Sequence, residues 1–236
     1  MFCQAIILTA LFPNNRVLTY NIIIIESGIT VMEIISETIH HKYRDHNGNV
    51  LLTFFYQSPI LKDNTSAVQS INYFLEMQKA EALLQEKSLL ADSVEFNKYY
   101  RTIPFESQTI IEITYNQNNL ISFLKTNFVY AGGAHPNTTR SSYTFSLTTG
   151  EQVNLINITK KKPFEIKQAI INIFLEKIKK NPEQFFPEAI NTIENTPLSD
   201  FHYYINDNGI IIYFNPYEIA PYVAGFVEAK LDLNTY

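Results

Sequence analysis

The chain has 236 residues, 46% hydrophobic and 17% charged, with a formal net charge of -5. It can bury a sizeable core, and it has no basic surplus for the phosphate-driven binding that nucleic-acid proteins use. The lone cysteine, Cys3, excludes an intramolecular disulfide and a thiolate zinc site, and no apolar run reaches the roughly 18 residues that a membrane-spanning helix needs.

Taken in chain order, Ala5 to Phe12 is an apolar run of signal-peptide size, but no Lys or Arg precedes it. Val17 to Ile25 reads equally as a buried strand, and Met32 as a start preceded by an extension. Ile34 to His40 and Asn49 to Gln57 flank Asp45-His46-Asn47-Gly48, and Asn-Gly between two such runs is a strong hairpin signal. Asp63 or Asn64 then caps a helix from about Thr65 to Lys87, continuing toward Leu90. Its apolar stripe is Ala67, Ile71, Phe74 and Leu75, and its polar face carries Gln69, Asn72, Glu76, Lys79 and Glu86. Ala91 to Ser107 reads as a connection with a short helix near Tyr99, interrupted by Pro104.

Strand character resumes at Gln108, where Ile111, Ile113 and Tyr115 alternate with Glu112 and Thr114. A turn at Asn116 to Asn119 leads into a strand from Leu120 to Tyr130. Tyr143, Phe145 and Leu147 mark the next strand, which Thr148-Thr149-Gly150 turns back into Gln152 to Leu155. Pro163 opens a second helix with Ile166, Ile170, Ile173, Phe174 and Ile178 on one face. Glu183 to Asp200 is irregular or weakly helical. Phe201 to Ile205 and Ile210 to Phe214 flank Asn206-Asp207-Asn208-Gly209 as a further hairpin, and Val227 to Leu233 is the last strand. The 15 Tyr and 17 Phe suit sheet surfaces. The predicted class is α+β, with antiparallel sheets each packed by a helix in two sheet-plus-helix layers. Residues 1–31 form an unassigned extension, 32–117 a first domain and 118–236 a second.

Three stretches then come together: Val129-Tyr130-Ala131-Gly132-Gly133-Ala134-His135-Pro136-Asn137, Phe145 to Gly150 with Leu155 behind, and Gly209 to Phe214 running into Pro216-Tyr217-Glu218-Ile219-Ala220-Pro221-Tyr222-Val223-Ala224-Gly225. From about Leu120 to Leu233 this resembles the C-terminal domain, of unknown function, in the ectodomain of lysozyme-sensing anti-sigma factors of the RsiV type. A similar domain precedes the catalytic domain of some peptidoglycan deacetylases. Asn49 to Lys87 resembles, more faintly, the companion domain that usually comes before it. The resemblance implies an extracytoplasmic, non-catalytic recognition module, with lysozyme or another cell-wall protein or glycan as partner and no cofactor. The chain departs from the lysozyme sensor in carrying no membrane anchor and no sigma-binding segment.

Candidate ligand-binding residues are Tyr130, Gly132, Gly133, His135 and Asn137 in the first signature, and Tyr217, Glu218 and Tyr222 in the second. Paired glycines let a backbone approach a ligand closely, or merely supply positive φ in a turn. Aromatic rings beside a carboxylate can grip a sugar or a basic protein surface, or Glu218 can bond backbone groups of its own turn. An enzyme acting on cell-wall sugar would use His135 and Glu218 as acid and base, and a purely structural domain is the third reading. His40 and His41, adjacent on a strand, point to opposite faces and cannot easily share a metal; with His46 they read as an edge strand. No nucleophile elbow, P-loop, dinucleotide fingerprint or zinc-protease motif is present.

Overall fold

The computed structural model describes residues 33–100 and 103–231 in full, and the backbone of 4–12 and 16–24. Cys3, Met32 and the predicted strand end at Leu233 lie outside the described residues. The fold is α+β, and the chain divides into two compact units that exchange segments. The first unit comprises residues 1–112, 125–138 and 148–150; the second comprises 113–124, 139–147 and 151–236.

One sheet has the order β1-β2-β3-β4-β5-β6-β7. Its strands are β1 (Gln4–Phe12), β2 (Arg16–Ile24), β3 (Glu33–Arg44), β4 (Val50–Lys62), β5 (Phe105–Gln117), β6 (Leu120–Tyr130) and β7 (Asn137–Ser146). The β3–β4 turn forms as its sequence dictates: Asp45 Oδ1 accepts the backbone N–H groups of Asn47 at 2.9 Å and Asn49 at 2.8 Å, and Gly48 takes φ +85°. Asn118 and Asn119 both adopt positive φ, 54° and 59°, as a tight two-residue turn from β5 to β6 requires.

The sheet is mixed, not wholly antiparallel, because β4 pairs parallel with β5 in the register Leu52↔Phe105 to Gln57↔Ile110. A parallel pair needs a crossover, and α1 (Ser66–Tyr99) supplies it. Thr65, not Asp63 or Asn64, caps this helix by accepting the Val68 N–H. The predicted connection with a short helix near Tyr99 is instead the last two turns of α1. Ser93 Oγ bonds the Leu90 carbonyl, Asn97 accepts the Ile103 N–H, and Phe96 packs on Phe105 at 5.5 Å, which holds the extension in place. The next strand consequently starts at Phe105 rather than Gln108.

The core of the first unit lies between α1 and one face of β3–β5, where Leu52, Phe54, Tyr56 and Phe105 meet Leu89 and Ala82. Glu86 is not on the solvated face of α1. It is buried, with His41 Nδ1 at 2.7 Å and the Tyr43 hydroxyl donating at 3.0 Å. The third hydrogen bond of this kind comes from Lys79 to buried Glu37 at 3.2 Å. His40 and His41 take opposite faces as expected; the pairing with β2 ends at Arg16↔Ile39, so among the described residues this end of β3 pairs only with β4.

In the second unit, α2 (Leu155–Thr159), α3 (Pro163–Lys180) and α4 (Ala189–Asn195) accompany the antiparallel sheet β10-β9-β8. Its strands are β8 (His202–Asn206), β9 (Gly209–Phe214) and β10 (Val227–Lys230). Ile166, Ile170, Phe174 and Ile178 recur at helical spacing and pack on Ile212, Phe214 and Val227. Each such buried side chain contributes about 1.5–3 kcal/mol. The hairpin expected from Gly150 into Gln152–Leu155 shrinks to a single bridge, Phe145↔Gln152. Leu155 instead opens α2, where Asn154 caps the helix.

Candidate functional site

The second face of the small sheet carries an ordered polar cluster. The β8–β9 register puts His202 opposite Tyr213, and the β9–β10 register puts Glu228 opposite the same tyrosine. The imidazole of His202 stacks on the Tyr213 ring at 5.2 Å between centroids and 22° between planes. Across this row runs β7: Ser142 Oγ accepts the Tyr213 hydroxyl at 3.1 Å and donates to the Tyr203 carbonyl. Arg140 bonds Glu228 at 2.6 Å and lies 4.0 Å from the centroid of Phe226, a charge-assisted hydrogen bond combined with a cation–π contact. Burial pushes the phenol of Tyr203 up to about 12, opposed by its side-chain hydrogen bond with Thr144.

At the end of β9 the chain turns through Asn215–Ala220. Asn215 binds Arg140 with both ends of its amide, accepting the Arg140 N–H at 2.6 Å and donating to the Arg140 carbonyl at 3.2 Å. Glu218 Oε2 accepts the Asn215 N–H at 2.6 Å, while Oε1 lies 3.3 Å from His202 Nε2. Tyr217 N–H donates to the Ala220 carbonyl at 3.0 Å, and closing this turn forces Tyr217 to φ 71°. That conformation is rare for a bulky side chain and costs about 1–2 kcal/mol. The strained residue nonetheless turns its ring outward: Tyr217 is 55% exposed, 5.8 Å from the ring of half-buried Tyr222, and Val223 beside them is 94% exposed. Glu218 thus bonds its own backbone turn and stays exposed at the surface.

Burial raises the Glu218 carboxyl, but the hydrogen bonds from His202 and Asn215 and the charge of His202 outweigh it, so its pKa lies below the ordinary value. A depressed carboxylate contributes stability above its unfolded pKa and loses it as pH falls through the folded value. Glu218→Gln is thus expected to lower the second unit's stability on the neutral plateau while leaving it near wild type well below about pH 4.5, so that the acid limb flattens. Denaturant midpoints taken at several pH values check this, and an unaltered acid limb contradicts it.

The first signature lies in the first unit. Tyr130 is half-buried at the end of β6, whereas His135 and Asn137 are exposed. His135 Nδ1 is 2.8 Å from the Pro136 carbonyl. Its two glycines differ. Gly132 takes φ +78°, and a Cβ there would stand 3.0 Å from Phe96 Cζ and 3.3 Å from Phe105 Cε1. Gly133 would meet only the His135 carbonyl, at 3.8 Å. Gly132→Ala is therefore expected to destabilise by about 1–3 kcal/mol, and Gly133→Ala by under about 0.5 kcal/mol; equal costs in urea unfolding would contradict the distinction. His135 belongs to the first unit and Glu218 to the second.

Sequence reasoning missed His202 and Arg140. For His202 a signal existed: the register fixed by the Asn206–Gly209 turn places it opposite Tyr213. Arg140 and Glu228 are 88 residues apart, and no local pattern joins them. Among the described residues there is no group of three His, Cys, Asp or Glu side chains able to hold a metal, and no helix long and apolar enough to cross a membrane.

Residues 157–234 match the family described as protein of unknown function DUF3298. Residues 46–138 match the family described as deacetylase PdaC, so the two matches cover the Tyr217 turn and the glycine loop respectively. A crystal structure of a DUF3298-family member from Bacteroides fragilis is similar at 18% identity, covering 84% of this chain and 89% of that one with a TM-score of 0.61. A DUF3298-family protein from Pseudomonas aeruginosa is similar at 15% identity, with 83% and 89% covered and a TM-score of 0.50. At these identities the likeness shows the fold. Comparison with curated proteins found no match.

Proposed function

We propose that this chain is a non-catalytic recognition module acting outside the cytoplasm, and that the Asn215–Gly225 turn is its contact surface for a protein partner such as lysozyme. The observation that carries the reading is Tyr217, held at φ 71° with an exposed ring beside Tyr222 and Glu218. Backbone strain of this kind clusters at ligand clamps. Tyrosine supplies broad contact area with little rotamer entropy to lose, and the Glu218 carboxylate suits a basic partner surface. The resemblance to lysozyme-sensing ectodomains supports the choice of partner. The match of residues 46–138 to a deacetylase family fits a module that stands ahead of a catalytic domain in such proteins.

Calorimetric titration with lysozyme at moderate salt tests the reading. The wild-type chain is expected to bind saturably. Tyr217→Ala should weaken binding at least about tenfold, as truncating an interface aromatic does. Tyr217→Gly relieves the φ strain while adding chain entropy, so stability should stay within about 1 kcal/mol of wild type and binding should still fall. Heats of binding absent for the wild type, or equal for all three proteins, would overturn the proposal.

A further inference from the structure

The side of β3–β5 turned away from α1 holds a cavity of about 260 Å³ lined by His40, Thr53, Phe55, Glu106 and Gln108. Register arranges these residues in two rows across three strands: His40–Phe55–Gln108, and beside it Lys42–Thr53–Glu106. Phe55 stands at the centre, half-buried, with exposed polar residues on both flanking strands. Among the described residues, none of His40, Lys42, Thr53, Glu106 and Gln108 makes a side-chain hydrogen bond or ion pair. On the other face of the same strands His41, Tyr43 and Glu37 are paired with groups of α1. The next polar residue on the open face, Gln57, is also satisfied, by Ser36 at 3.0 Å. Polar side chains free to meet a ligand thus surround the solvent-facing ring of Phe55.

From this arrangement we infer a binding site for a single uncharged pyranose unit of a glycan, separate from the partner surface of the second unit. A sugar ring has an apolar C–H face suited to the phenyl ring of Phe55 and a rim of hydroxyls that both donate and accept. Gln108 and Thr53 answer both roles, Glu106 accepts, and Lys42 donates. An anion would meet the Glu106 carboxylate and a cation the Lys42 ammonium, so the mixed rim favours a neutral polyol over either. The volume lies just under the roughly 300 Å³ at which pockets for drug-sized ligands begin, which suits one ring rather than a chain.

The test is amide chemical-shift titration of the full chain with methyl β-D-glucopyranoside, with inorganic phosphate as the anionic control. The expected result is saturable shifts confined to β3–β5, with a dissociation constant on the order of 1–10 mM. Phe55→Leu keeps an apolar side chain but removes the ring face, and should weaken binding about tenfold. The exposed substitution Gln108→Ala should weaken it several-fold, and Tyr217→Ala should leave it unchanged. The site is refuted if no saturable shifts occur at about 100 mM sugar, well above the expected range. It is equally refuted if phosphate moves the same amides as strongly, or if Phe55→Leu and Gln108→Ala bind like wild type.

Discussion

Gly150→Ala is expected to destabilise the first unit by about 3 kcal/mol, more than a methyl group added at any other described glycine. Gly150 sits at φ +74°, where an L side chain is already strained, and its added Cβ would stand 2.7 Å from the Ala67 carbonyl oxygen and 2.8 Å from Ala67 Cα. Both are backbone atoms in the first turn of α1, anchored by the Thr65 cap, so no rotamer change can relieve the clash. The helix end or the turn must shift, with loss of packing around the buried Ala67 and Val68. Urea unfolding of the purified variant measures the cost. A loss under about 1 kcal/mol would mean that the 148–150 segment does not press on α1 as described.

Phe174→Ala is expected to cost the second unit about 3–5 kcal/mol, the usual range for removing a fully buried phenyl ring. Phe174 is fully buried on α3, with its ring 5.0 Å from Phe214 at 85°, an edge-on contact. Phe214 ends the strand that leads directly into the Asn215–Ala220 turn. The variant should therefore loosen the turn that carries Tyr217 as well as the core. Phe174→Leu, which keeps most of the volume, should cost no more than about 1.5 kcal/mol. Similar losses for the two variants would contradict this, because the edge-on ring contact with Phe214 rather than the buried volume would then carry the cost.

What could be read from the sequence follows from the range of the interactions involved. The hairpins at Asp45–Gly48 and Asn206–Gly209 were legible because turn chemistry acts over four residues. The α3 stripe was legible because its period repeats in every turn. The parallel β4–β5 pair was not, since its partners, such as Leu52 and Phe105, are separated by all of α1. The last turns of α1 were also missed. Their composition is mixed, and what fixes them is Phe96 against Phe105 and Asn97 reaching Ile103, contacts that exist only once the strand has returned. Glu86 was read as solvated for the same reason, because its partners His41 and Tyr43 lie more than 40 residues earlier in the chain.

The candidate site divides along the same line. The segment Tyr217–Tyr222 stood out in the sequence as aromatics and a carboxylate between two prolines, but nothing there foretold the positive φ at Tyr217. That conformation arises from closure of the turn, Tyr217 N–H to the Ala220 carbonyl and Glu218 back to the Asn215 N–H. Arg140 and His202, which anchor the turn to the sheet face, come from β7 and β8 and belong to no motif.

Hydrogen exchange of the full chain, with and without saturating lysozyme, tests the recognition reading most directly. The account predicts new protection at the amides of Asn215–Gly225, with the α3 core unchanged because it is already protected. Protection confined to other segments, or no change at saturation, would contradict the assignment of this turn as the contact surface.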